Sequence, residues 1–154
     1  MHIKLLERPS RNNSLVVKQI IDIARELTED WFTDDVPGWI ENDLLFQDVL
    51  CLEAGDQIRA FIVFTSIEGV LNITLMGTEP AYRNHGYGSK MMEVLFEYAK
   101  TRGFRKIELL TVPPEKRSSY HSTVAFYSKH GFVRVKEYPE LWDTGAAKFT
   151  KFLE

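Results

Sequence analysis

Leu75-Met76-Gly77-Thr78-Glu79-Pro80-Ala81-Tyr82-Arg83-Asn84-His85-Gly86-Tyr87-Gly88-Ser89 is the stretch on which the reading of this chain turns. Its apolar start closes a strand that runs from Val70 to Thr78 and is ended by Pro80. Its end opens a helix over Tyr87–Thr101, where Met91, Met92, Leu95, Phe96 and Ala99 recur on one face and Gly103 supplies the stop. A helix start carries backbone N–H groups with no intrahelical partner, and the helix dipole adds positive charge there. Such a junction holds anions. Gly86 and Gly88 permit close backbone approach and unusual φ values, and Arg83, His85 and Lys90 add side-chain donors. Two glycines alone would equally serve a tight turn. The spacing here is R-x-x-G-x-G; the patterns G-x-x-x-x-G-K-[ST] and G-x-G-x-x-G are absent, which argues against ATPase and dinucleotide-fold readings.

Working outward, residues 2–7 predict a first strand, and Ile20, Ile21, Ala24 and Leu27 predict a helix over Val17–Asp30. Asp34, Asp35 and Pro37 start a second short helix carrying Trp39, Ile40, Leu44 and Leu45. Val49–Leu52 and Ile58–Ile67 read as a hairpin about Ala54–Gln57, and Glu68-Gly69 turns the chain into the strand that ends at Thr78. Beyond the long helix, Lys106–Val112 is a strand broken by Pro113-Pro114. Ser122 or Thr123 caps a helix that ends at His130-Gly131, and Phe132–Lys136 and Lys148–Phe152 close the chain. The order predicts a mixed α/β sheet, antiparallel at first, with parallel pairing across both late crossovers.

The 154 residues, 44% hydrophobic and 27% charged, fit one domain with its own core over residues 1–154. A lone cysteine, Cys51 in an apolar run, points to a reducing compartment. No leader-like segment or apolar stretch of spanning length is present, so a soluble cytoplasmic protein is expected, with no membrane partner. A net charge of -3 argues against nucleic acid as a partner. The charge is unevenly spread: residues 1–77 carry -7 and residues 78–154 carry +4. Asp22, Glu26, Glu29, Asp30, Asp34, Asp35, Glu41, Asp43 and Asp48 face only Arg25 in their segment. Solvated helix faces account for such a run, and so does a cationic partner. His2, His85, His121 and His130 have no metal-ligand spacing, and no metal is expected.

The run Thr78 to Gly88 resembles the acetyl-CoA-binding motif of the GCN5-related N-acetyltransferases, the GNAT superfamily. Ala125-Phe126-Tyr127-Ser128-Lys129-His130-Gly131-Phe132 resembles its second signature, A-x-Y-x-K-x-G-F. The resemblance covers roughly residues 49–154. It implies the GNAT fold, a mixed, mostly antiparallel central sheet flanked by helices, with parallel strands splayed at the cofactor site. It also implies acetyl-CoA as cosubstrate and an amine-bearing acceptor attacked directly through a tetrahedral intermediate; the acidic segment, where it faces the acceptor side, would favour a cationic one. By the same likeness, Arg83, Asn84, His85, Gly86, Tyr87, Gly88 and Ser89 would hold the pyrophosphate. Met76, Gly77 and Thr78 would face the pantetheine arm and acetyl carbonyl, and Tyr127 would serve as the acid toward the departing thiolate.

The chain departs from the family pattern in places. Tyr120 stands where many members carry asparagine, and the loop after Pro113 is longer than usual. Neither Leu109-Leu110-Thr111-Val112 nor Asn72 supplies the glutamate base of some relatives. Glu79, Glu115 and His121 are the remaining candidates for a base. Trp31, Phe32 and Trp39 either pack or line an acceptor pocket, and Trp142 is expected to pack on a closing hairpin. A non-catalytic acetyl-CoA-sensing module is the alternative function, transfer of a longer acyl group is a further one, and a homodimer stays open.

Overall fold

The computed structural model describes residues 1–28 and 31–154. Its strands are β1 (His2–Leu6), β2 (Asp48–Ala54), β3 (Gln57–Ile67), β4 (Val70–Thr78), β5 (Lys106–Thr111), β6 (Val133–Tyr138) and β7 (Ala146–Phe152). The helices are α1 (Ser14–Glu26), α2 (Val36–Asp43), α3 (Tyr87–Thr101) and α4 (Tyr120–Lys129). The strands form one sheet in the order β1-β2-β3-β4-β5-β7-β6. Among the described residues β4–β5 is the one parallel pair. Its ladder runs from Val70↔Lys106 to Ile73↔Leu109, although β4 continues to Thr78. The central sheet is therefore mixed α/β and mostly antiparallel, as expected.

The second crossover differs from the sequence reading. β5 and β6 are not neighbours; β7 lies between them and pairs antiparallel with both. Burial in the folded sheet explains the exchange. β7 buries Ala146, Ala147 and Phe149, whereas β6 is exposed along almost its whole length and takes the edge.

Contacts cluster into two units, Met1–Thr65 with Thr74–Leu95, and Ser66–Ile73 with Phe96–Glu154. In the first, α1 starts at Ser14, before the expected Val17, because the Asn13 side chain accepts the Val16 N–H at 3.3 Å and caps the helix. The predicted end at Asp30 lies outside the described residues. The apolar stripe Val16, Val17, Ile20, Ile23, Ala24 and Leu27 packs with Ile40, Leu44, Val49, Phe61 and Val63. Cys51, in the same core, is fully buried, and burial pushes its thiol up to about 12.

Gly77 is required by this packing. A Cβ there would stand 2.7 Å from Leu27 Cδ1 and 3.1 Å from Phe61 Cζ, and both neighbours are buried. Gly77→Ala is expected to destabilise the fold by about 1–3 kcal/mol, the usual range for overpacking. A lower urea midpoint at unchanged m would show it, and an unchanged midpoint would mean that Leu27 yields freely.

In the second unit, α4 begins at Tyr120 rather than at Ser122 or Thr123. The Lys116 and Arg117 amides donate to the Pro113 carbonyl, and the Tyr120 amide donates to the Arg117 carbonyl at 3.1 Å, so turns wind into the helix early. The strand after it starts at Val133, and the last begins two residues before the expected Lys148. Trp142 does not pack. It sits in the β6–β7 connection at φ 55° and is 53% exposed.

Candidate active site

The segment after β4 is fixed at both ends. The Glu79 amide donates to the Arg59 carbonyl at 2.7 Å, and the Glu79 carboxylate pairs with the Arg59 guanidinium at 2.8 Å. That guanidinium lies over the Tyr82 ring, 4.4 Å from its centroid, which fixes the 3-10 turn Pro80–Tyr82. Arg83 follows with extended backbone and stacks on Trp31 at 3.8 Å. Tyr87 stacks with Tyr82 at 6.3 Å and His85 at 5.8 Å. Aromatic contacts thus hold a loop whose tip, Asn84–Gly86, is exposed.

Two residues bend that tip. Gly86 has φ 78°, as its place before the helix demands, and Asn84 has φ 64°. The second was not anticipated, although asparagine is among the few side chains that tolerate this region. Gly88 departs from the expectation. It lies on helical backbone inside α3, and its role there is not conformational. At the start of α3 the Lys90 amide donates to the Gly86 carbonyl at 3.2 Å. The amides of Tyr87 and Gly88 open the helix, which offers them no acceptor. A Cβ built on Gly86 meets nothing within 4 Å, so open space adjoins the loop. Donors, dipole and space fit a diphosphate.

The first unit therefore brings together nine of the residues singled out: Met76, Gly77, Thr78, Asn84, His85, Gly86, Tyr87, Gly88 and Ser89, with Arg83 held on Trp31 beside them. Met76 and Thr78 are half-buried, Gly77 is buried, and all three lie beyond the point where the β4–β5 ladder stops. Among the described residues the β4–β5 ladder includes none of the three.

Tyr127 belongs to the second unit. It is buried in α4 with its ring against Phe132 at 5.7 Å and Phe149 at 6.4 Å. Burial raises its phenol well above the ordinary range, and Tyr120, two turns earlier on the same helix face, adds to the shift. Of the candidate bases, Glu79 is engaged by Arg59. Glu115 accepts from Arg134 at 2.8 Å, and that bond holds its carboxyl below the usual range. His121 is exposed. Both carboxylates are thus held in ion pairs.

The acidic segment also sorts itself. Asp22 pairs with Arg25 at 3.6 Å, Asp48 accepts the Arg8 amide at 3.1 Å, and Asp35 accepts the Thr33 hydroxyl. Glu29 and Asp30 lie outside the described residues. Trp31 and Phe32 pack against the core of the first unit, whereas Trp39 lines a cavity of about 210 Å3. Among the described residues no group of His, Cys, Asp and Glu could hold a metal, and no helix is long and apolar enough to cross a membrane.

The acetyltransferase (GNAT) family model matches residues 16–132, a span that includes both the phosphate-type loop and the Tyr127 segment. The chain belongs to the GNAT family. No curated protein matches it by sequence. Its fold is similar to the crystal structure of aminoglycoside 6'-acetyltransferase type Ii, at 20% identity and a TM-score of 0.75, covering 99% of this chain and 97% of that one. An aminoglycoside 6'-N-acetyltransferase complexed with coenzyme A gives 18%, 0.75, 99% and 97%. The PaiA N-acetyltransferase from Thermoplasma acidophilum, in complex with coenzyme A, gives 16%, 0.72, 99% and 99%. At such identities the likeness is one of fold, and these GNAT neighbours include coenzyme A complexes.

Proposed function

We propose that this GNAT protein transfers the acetyl group of acetyl-CoA to a primary amine, which attacks the thioester carbonyl directly. The observation that carries the reading is the loop geometry. Asn84 and Gly86 at positive φ lead into a helix whose first two amides, Tyr87 and Gly88, have no intrahelical acceptor. Bound there, acetyl-CoA would supply an activated acyl group on a thiol leaving group. Residues 84–89 would bind its diphosphate, and Met76–Thr78 would offer their backbone edge to its arm.

Tyr127 is the donor in this reading, and its environment defines how it acts. Ordinary thiols titrate near 8.5 and phenols near 10, so proton transfer from a phenol to a thiolate is uphill even before burial raises the phenol. Tyr127 therefore keeps its proton and stabilises developing negative charge by a hydrogen bond from Oη. The attacking nitrogen must be neutral, and an amine captured in that form needs no dedicated base.

The acidic first half of the chain draws in cationic acceptors by long-range attraction, which salt screens. Thiol release from acetyl-CoA over a panel of polyamines, amino acids, aminoglycosides and peptides tests the activity. Tight coenzyme A binding with no turnover on any amine would leave a sensor instead. Dicationic acceptors are expected to show a higher second-order rate constant than matched monocations at low salt. The advantage should shrink at high salt and in Asp34→Asn/Asp35→Asn. Equal constants at low salt would remove the charge term.

A further inference from the structure

The cavity of about 210 Å3 beside α2 has apolar walls made by Trp39, Ile40, Leu44, Val63 and Leu75, with two polar side chains, Thr74 and Asp43. The Thr74 hydroxyl is occupied as a donor, giving its proton to Gln47 Oε1 at 2.6 Å. Asp43 is different. No ion pair or hydrogen bond reaches its carboxylate among the described residues, and burial alone pushes its carboxyl up. It is also the last residue of α2, where the helix dipole disfavours an anion. Helix stability does not account for a carboxylate in this place.

A half-buried, unpaired carboxylate in an apolar wall is the complement of a cation with a hydrocarbon body. Trp39, 59% exposed, adds an aromatic face on which such a cation gains further. An ammonium held by Asp43 stays protonated and has no lone pair for attack on a carbonyl. A substrate anchored here must therefore carry a second amine. Leu75 lines the cavity and Met76–Thr78 continue the same strand. Two strand residues span about 6.6 Å, which suits a spacer of four or five methylenes.

We propose that this cavity anchors an α,ω-alkyldiamine. Asp43 binds its non-reacting ammonium, the apolar wall carries its polymethylene spacer, and its distal amine is directed along β4 toward Met76–Thr78. The inference rests on the acetyl-transfer reading above. In the reaction the distal nitrogen forms the N–C bond and loses one proton. The thioester C–S bond breaks and the thiol departs protonated, so the anchoring ammonium keeps its three protons.

The test begins without turnover. Calorimetric titration of 1,5-diaminopentane, with and without coenzyme A, is expected to show affinity at least tenfold lower in Asp43→Asn than in the parent. Asp56→Asn, which removes an exposed carboxylate from the β2–β3 turn, should bind like the parent. Removing a desolvated, unpaired charge should leave Asp43→Asn folded with a melting temperature no lower than the parent's at neutral pH. Kinetically, pentylamine should compete with the diamine while being a poor acceptor, and Asp43→Asn should raise KM for the diamine more than it lowers kcat. Equal diamine affinity in folded Asp43→Asn and parent overturns the proposal, as does an unchanged kcat/KM for the diamine. An absence of thiol release with every amine would instead strike the acetyl-transfer reading, while the titration still reports on the cavity.

Discussion

Gly86→Glu is expected to abolish coenzyme A binding, with affinity falling at least about 100-fold, or ~2.7 kcal/mol. Two effects act together. Position 86 has φ 78°, a conformation that costs any L side chain about 1–2 kcal/mol. A Cβ at this position meets no protein atom within 4 Å, so the new side chain starts into open space. It would carry a carboxylate into the open space beside the Tyr87 and Gly88 amides, where a diphosphate would sit, and repel it. Gly86→Ala separates the two effects, because it carries the backbone strain without the charge; it should bind coenzyme A far better than Gly86→Glu. Calorimetry on folded protein checks both. Unchanged affinity in Gly86→Glu would place the cofactor elsewhere.

Tyr127→Phe is expected to lower kcat by about 10- to 10³-fold, a range bounded above by the usual worth of a positioned donor or acid, while leaving coenzyme A affinity similar. The ring makes its contacts with Phe132 and Phe149 through carbon, so phenylalanine preserves the packing. The hydroxyl has a further signature in pH. Burial raises the phenol, so the protonated, donating form persists through and beyond the ordinary range. From pH 8 to 10, kcat should show no decline that Tyr127→Phe abolishes. A decline near pH 9 that vanished in the variant would mean that Tyr127 ionises readily and is not the buried donor described here.

The strongest parts of the sequence reading concerned period and punctuation. α3 was legible to its ends because Met91, Met92, Leu95 and Ala99 keep one face and Gly103 marks the stop. The β3–β4 turn was equally plain, since Glu68-Gly69 sits between two β-branched runs and both residues take positive φ. The place of β7 was not legible. Strand order at a sheet edge depends on which of two hairpin strands buries more surface, and that comparison is made only in three dimensions. The early start of α4 was hidden because Pro113-Pro114 reads as a break, while its carbonyl in fact seeds the following turns. At the site, Gly86 and Arg83 were visible from spacing. The left-handed Asn84 and the stacking of Arg83 on Trp31 were not, because sequence shows neither backbone sign nor partners distant along the chain. Asp43 had appeared as one carboxylate among nine; the cavity and its lack of a partner single it out.

The burial of Cys51 has a practical result for watching this chemistry. With a thiol pushed up to about 12, roughly one molecule in ten thousand carries the thiolate at pH 8, and that sulfur is sealed within the sheet. A disulfide reagent that colours on contact with free thiolate therefore finds none on the folded chain. Every equivalent of colour reports released coenzyme A. A slow background that grows with temperature would be the protein opening, so one reagent follows both acyl transfer and the integrity of the β2 core.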